Sequence, residues 1–454
     1  MPRGPATPAQ ALWSVVLSVA AGVVAGRITG SRWSPLVAPA VFVVALELVR
    51  WNVPGPSVDL PHFSGYGVIV LIAGRGVHGL LSIVPMLLAA AYGAGLTRGS
   101  WWRRALLGAP SALVLALTVA VALPATTAPV RGPDGRPVPG SVAELTSVDA
   151  GGRRLGLMIR GDDTSLPVLL FVPGTPGGSE VGAMRRHLAD LEHRFVVATL
   201  DRRGAGRSYA ALDPASTVTL DGAVDDTVAV AEHLRQRFGQ RRIVLVAHSG
   251  GSLIGVLAAQ RRPDLFRAYV GAGQAVHLPT TDRIFYDDVL AWARGSGRAA
   301  LVDRLVAQGP PPYPDFFSYE PIIDNESRVY AYDHTGNSEG EGGFAENLGV
   351  PEYALLDTLH TVNAIVDTWS LLYPRMQGVD LRTDVRRLDV PAYFVNGAHE
   401  MRGLGEPFAE WYAQLAAPRK ELVVVAGGGH RALFERPADF VAVMTRVLAE
   451  TSGS

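Results

Sequence analysis

The 454-residue chain has no cysteine, which excludes disulfide frameworks, zinc-thiolate sites and a cysteine nucleophile. Lysine is nearly absent as well: Lys420 is the one lysine, and arginine carries the remaining basic charge. Neither sign of charge is in excess, because 41 Lys and Arg against 42 Asp and Glu leave a formal net charge of -1. A nucleic-acid binder needs a concentrated basic surplus to neutralise phosphates, so that class is set aside. No Walker glycine loop, dinucleotide fingerprint or metal-spaced His and Asp cluster is present, and the sequence implies no cofactor. What it has in quantity is apolar surface, 48% hydrophobic residues against 18% charged. That balance excludes a disordered chain, and the length allows two or three domains at roughly 100 to 200 residues each.

The apolar residues are concentrated at one end. Runs at 11–26, 35–49, 67–96 and 105–123 predict about four membrane spans within residues 1–125, against a need for about 20 apolar residues per crossing. The third run carries Gly74, Arg75, Gly76 and His78, so its span is expected to start near Val77, with Arg75 snorkelling to an interface. A cleaved signal peptide fits less well, since one Arg3 makes a thin basic start and more apolar runs come after it. Arg27 and Arg32, then Arg98, Arg103 and Arg104, fall in short loops, whereas 51–66 has no Lys or Arg. Basic loops stay inside, which predicts a multi-pass cell-membrane protein, a lipid-bilayer partner and an extracytoplasmic C-terminal domain.

Residues 126–142 are Pro-rich and polar, which predicts a semi-extended tether. From 143 to 454 short apolar runs alternate with helical patterns. Pro167–Val172, Phe195–Leu200, Ile243–Val246, Ala268–Gly271, Ala392–Val395 and Leu422–Val425 read as strands buried on both faces. Alternation of this kind predicts an α/β class: an open, mostly parallel, doubly wound sheet with helices on both faces. Ligands of such sheets bind beyond the carboxyl ends of the strands, so the candidate site residues are sought in the loops at those ends.

After Ile243–Val246 comes Ala247-His248-Ser249-Gly250-Gly251, a strand-to-helix turn with serine at its apex and small residues around it. This is a nucleophile-elbow pattern, with alanine in place of the first glycine. After Ala392–Val395 comes a loop with Glu400, and after Leu422–Val425 comes Gly427-Gly428-Gly429-His430. Serine, acid and histidine thus succeed one another in that order. A serine hydroxyl becomes nucleophilic when an imidazole takes its proton, and a carboxylate fixes that imidazole's tautomer. Ser249, His430 and Glu400 are the expected catalytic residues. The oxyanion needs two N–H donors, expected from Gly250 and from Thr175 in the Pro173–Gly178 loop. His248, Asp201 and Arg203 read as packing and bracing residues, His399 as structural. Asp389 and Asp367 are the fallback acids.

These motifs resemble the α/β-hydrolase superfamily over roughly residues 165–445, and more narrowly the proline iminopeptidase-like serine hydrolases. Pro173-Gly174-Thr175-Pro176-Gly177 is similar to that group's His-Gly-Gly-Pro-Gly loop, and Asp201-Arg202-Arg203-Gly204-Ala205-Gly206-Arg207-Ser208 to its Asp-Gln-Arg-Gly-x-Gly-x-Ser signature, with arginine for glutamine. Most relatives carry aspartate at the position of Glu400. The resemblance implies a helical cap at about 277–385, and Glu339, Glu341 and Glu346 are cap acids available to a substrate amine, though no motif singles them out. The expected function is hydrolysis of an ester or amide in a small molecule or short peptide, in the manner of an aminopeptidase. The alternatives are a lipase or esterase on lipid-derived substrates, and a membrane-anchored binding module without catalysis.

Overall fold

The computed structural model describes residues 3–59, 61–96, 101–174, 177–330 and 345–451. The chain divides into two compact units, Met1–Ala125 with Tyr353–Asp367, and Thr126–Glu352 with Thr368–Ser454.

The first unit is helical: α1 (Pro8–Thr29), α2 (Ser34–Arg50), α3 (Gly65–Leu71), α4 (Val77–Gly93) and α5 (Trp101–Ala122). Thr7 caps α1 by accepting the Gln10 N–H at 3.2 Å, and Pro8 sits at its first turn, where no N–H is missed. α1 and α4 approach closely, since a Cβ at Gly22 or Gly26 would meet a backbone oxygen of α4 at 2.3 Å. Small residues permit that approach between apolar helices. Among the described residues, three helical runs are long and apolar enough to cross a membrane: Pro8–Thr29, Gly65–Gly93 and Trp101–Ala122. The expected fourth, α2, has 17 residues and falls short of the roughly 20 required.

The third run also begins earlier than expected, at Gly65. A π-helical turn, Ile72–Gly76, carries Gly74-Arg75-Gly76 inside it and joins α3 to α4. Arg75, expected at an interface, donates there to Glu47 at 2.8 Å and to the Asp59 carbonyl at 3.1 Å. Arg98, one of the orientation arginines, lies outside the described residues. Among the described residues, the large apolar side chains exposed on the surface lie between Trp13 and Leu123, apart from Val306 and Val424.

The second unit holds one eight-stranded sheet. Its strands are β1 (Val142–Ala150), β2 (Arg153–Gly161), β3 (Val168–Val172), β4 (Val196–Leu200), β5 (Ile243–His248), β6 (Phe266–Ala272), β7 (Ala392–Gly397) and β8 (Lys420–Val425). The spatial order is β1-β2-β4-β3-β5-β6-β7-β8. β1 and β2 pair antiparallel, as do β2 and β4, and every later pair is parallel. Every residue of β3, β4, β5 and β7 is buried, which matches their unbroken apolar runs. β1 and β2 escaped the reading of apolar runs. β1 is largely half-buried, and Glu144, Asp149, Arg153 and Arg154 interrupt the apolar signal.

Helices α6 (Val181–His187), α7 (Leu220–Arg237), α8 (Gly250–Arg261), α14 (Arg402–Gln414), α15 (Ala432–Glu435) and α16 (Pro437–Thr451) connect or follow the strands. Among the described residues, the insertion between β6 and β7 carries helices α9 (Leu278–Gly295), α10 (Ala299–Gln308), α11 (Phe316–Val329), α12 (Leu355–Met376) and α13 (Leu381–Asp384). The expected tether is tied down rather than free. Arg160, buried on β2, donates to Thr127 Oγ1 at 2.8 Å and to the Ala128 carbonyl at 2.5 Å, and a turn closes between Val130 and Val138 at 3.0 Å. A buried guanidinium needs more acceptors than Glu192, at 2.8 Å, supplies.

Asp282 of α9 is buried and accepts from Tyr319 at 2.9 Å, Tyr373 at 2.5 Å and Gln377 at 3.1 Å. Burial pushes its carboxyl up to about 6 against those donors. The unfolded chain titrates this group near pH 4, so between about pH 4 and 6 only the folded state holds the proton, and stability falls as pH rises. Asp282→Asn removes this titration. From pH 4 to 7 the stability difference should move in the variant's favour by about 2 to 3 kcal/mol, read from urea midpoints; a difference constant with pH overturns the assignment.

Candidate active site

The order of the strands changes direction between β4, β3 and β5, and crevices of open α/β sheets form at such switch points. β5 ends here in the turn to α8. Ser249 at its apex has φ 51° and ψ -131°, and among the described residues it is the one non-glycine with positive φ. A side-chain-bearing residue in this region costs about 1 to 3 kcal/mol. The fold holds it by a Ser249 N–H bond to the Ala272 carbonyl at 2.9 Å, and by close approach of α8. A Cβ on Gly251 would lie 2.2 Å from the Pro173 carbonyl oxygen, which explains the small residue after the elbow.

Three side chains from three loops meet at this apex. His430 Nε2 lies 2.8 Å from Ser249 Oγ, and His430 Nδ1 lies 2.9 Å from Glu400 Oε1. Glu400 Oε1 also accepts the Met401 N–H at 3.0 Å. His430 and Glu400 are both buried, with 7% of each side chain exposed, so their bond is shielded from water. Gly250 opens α8 directly after Ser249. Thr175, the expected second oxyanion donor, lies outside the described residues, as do Glu339 and Glu341.

The remaining candidates fall elsewhere. Asp389 pairs with Arg387 at 2.7 Å. Asp367 belongs to the first unit, where it binds Arg3 at 3.1 Å and the Ser57 hydroxyl at 2.5 Å. His399 is exposed. Glu346 is engaged by His187 at 2.6 Å and by Arg431. Burial pushes its carboxyl up, but these two partners hold it below its ordinary value. Among the described residues no group of three or more His, Asp or Glu is placed to hold a metal ion.

The bracing residues take distinct tasks. Asp201 accepts from Ser179 at 2.9 Å and from the Arg207 N–H at 3.1 Å, while Arg203 grips Asp226 at 2.6 and 2.9 Å. Arg202, at the place of the expected glutamine, donates to the Gly174 carbonyl at 2.6 Å. Burial draws its guanidinium down to about 10, which still leaves it charged at neutral pH. Glu180 was not visible as a site residue in the sequence. It accepts the Gly174 N–H at 2.8 Å with one oxygen and bonds His248 Nδ1 at 2.7 Å with the other. Burial raises its carboxyl, yet His248, the Gly174 N–H and Arg431 outweigh that and lower it. Its one sequence signal is position, since it comes just after the Gly177-Gly178 end of the loop.

Gly273, at φ 56°, lies against the histidine: a Cβ there would stand 2.7 Å from His430 Cε1 and 2.8 Å from Nδ1. Gly273→Ala should therefore displace the ring from both partners. A misplacement of about 1 Å costs about 100-fold in rate, so capture of Ser249 by a fluorophosphonate should slow by about that factor with the fold intact. An unchanged capture rate would show that the ring does not need this space.

The alpha/beta hydrolase family matches residues 169–443 of the chain. The chain is 26% identical over 325 residues to the probable aminopeptidase YbaC of Bacillus subtilis (strain 168), covering 67% of this chain and 96% of that protein. It is 35% identical over 105 residues to a probable proline iminopeptidase of Streptomyces coelicolor, covering 22% of this chain and 31% of the relative. A solved structure of a proline iminopeptidase-related protein from Thermus thermophilus is similar at a TM-score of 0.49 and 21% identity, covering 68% of this chain and 98% of that one.

Proposed function

The chain belongs to the alpha/beta hydrolase family, and from that premise we propose that it is a membrane-anchored serine hydrolase using Ser249, His430 and Glu400. The observation that carries the proposal is the unbroken line from Ser249 Oγ through His430 to Glu400, at 2.8 and 2.9 Å, on a left-handed elbow. In this reading Ser249 Oγ attacks a carbonyl carbon while its proton passes to His430 Nε2. The imidazolium is stabilised by Glu400 through Nδ1–H and then gives the proton to the departing oxygen or nitrogen. Water, deprotonated by His430, cleaves the acyl-enzyme and restores the hydroxyl. The Gly250 N–H, with that of Thr175, would receive the oxyanion.

The bond cleaved is an ester or amide. The likeness to a probable aminopeptidase over 96% of that protein's length favours the N-terminal residue of a short peptide. A second reading, an esterase on lipid-derived acyl chains, is favoured by the exposed apolar side chains between Trp13 and Leu123. Such a surface on a soluble monomer would be a liability, and we read it as lipid-facing.

Three experiments test these statements. A fluorophosphonate should label the wild type and not Ser249→Ala, and aminoacyl arylamides should turn over faster than acyl esters. Faster esters would replace the peptidase reading with the lipid one, and label independent of Ser249 would end the hydrolase reading. The chain's lack of cysteine permits a clean topology probe. Cysteine in place of Asp225, whose side chain is 69% exposed, should react with a membrane-impermeant maleimide on intact cells if the hydrolase domain faces outward; reaction only after lysis inverts the orientation.

A further inference from the structure

Beside the proposed triad stands a second carboxylate–imidazole pair that the mechanism does not use. Glu180 and His248 are both buried, with 12% and 4% of their side chains exposed. The pair touches the site at two places. Through its other oxygen Glu180 holds the Gly174 N–H at 2.8 Å, and so fixes the first glycine of the loop after β3. Through His248 it lies against the catalytic ring: the His248 and His430 imidazoles are stacked, centroids 5.2 Å apart and planes inclined by 30°.

The tautomer is set by burial. Among the described residues, His248 Nε2 is buried and has no hydrogen-bond partner, so a proton there would be an unsatisfied donor. A proton on Nδ1 is therefore donated to Glu180 at 2.7 Å. The Glu180 carboxylate behind the stacked ring favours positive charge on a transient His430 imidazolium.

We propose that Glu180 and His248 act as one positioning couple, holding Gly174 of the loop after β3 and keeping the His248 imidazole stacked against His430 while that ring carries the serine's proton. The inference rests on the serine-hydrolase reading above. The charged and titratable groups facing the couple are Arg202 and Arg431, the His430–Glu400 pair, Glu346 beside Arg431, and Glu435, whose carboxylate takes the Gly429 N–H at 2.5 Å. His187 lies across the Phe434 ring, which also packs edge-on against His248.

Glu180→Gln tests the couple. The amide oxygen can keep the Gly174 N–H, but the amide NH2 faces His248 Nδ1 and forces that ring's proton toward the partnerless Nε2. Fluorophosphonate capture of Ser249 in the full-length protein should slow about tenfold, less than the roughly 100-fold loss from deleting an oxyanion donor. The acid limb of its pH–rate profile should move to lower pH, because a neutral amide no longer favours charge on His430. His248→Asn should slow capture too, and the double variant should be no slower than the slower single one, as members of one unit are non-additive. Should Glu180→Gln not fold, His248→Asn carries the test alone, since it leaves Glu180 on Gly174. Variants with a lowered Tm but the wild-type rate and acid limb overturn the couple and leave the hydrolase reading standing. A wild type without Ser249-dependent labelling overturns both.

Discussion

A backbone of φ 51° at Ser249 is unfavourable for any residue with a Cβ, and it persists because its surroundings leave no alternative. β5 enters from one side, buried along its whole length. α8 leaves from the other, with Gly251 pressed on the Pro173 carbonyl. The Ser249 N–H is tied to Ala272 at 2.9 Å. The side-chain oxygen is thereby turned out of the sheet toward the loops that carry Glu400 and His430. Relaxing the turn would disturb the strand ladder or the contact of the helix with Pro173.

Around that turn the protein spends buried charge on backbone rather than on salt bridges alone. Gly174 is held from both ends: its N–H by Glu180 and its carbonyl by Arg202. Glu435 takes the Gly429 N–H next to His430 at 2.5 Å, and Glu346 is shared by His187 and Arg431. Loops rich in glycine carry little side-chain packing to fix them. Charge-assisted bonds to their N–H and carbonyl groups supply that order, and they are stronger in a shielded site than in water.

The first unit solves a related problem in apolar surroundings. Arg3 lies against Asp367 and Ser57, and Arg50 and Arg75 share Glu47. Polar groups among apolar helices are costly unless they find partners, and Arg75 finds Glu47 within the π turn of the 29-residue helical run Gly65–Gly93.

Features that depend on local spacing were legible in the amino-acid order. The apolar runs of β3, β4, β5 and β7 announce strands buried on both faces, whereas β8, which reads the same way from Leu422 to Val425, is an edge strand, half-buried over most of its length with Val424 exposed. The small residues around Ser249 announce the elbow, and the loops after β7 and β8 announce an acid and a histidine. Other features exist only through contacts made on folding. β1 forms because it pairs with β2, which in turn pairs with β4, a source of stability that the mixed polar sequence of β1 does not display. The Glu180–His248 bond joins residues 68 positions apart, and Arg202 reaches Gly174 across 28. A carboxylate or guanidinium looks the same in a sequence whether it is solvated or buried against a backbone amide. Its role is set by which distant groups the fold brings within hydrogen-bond distance.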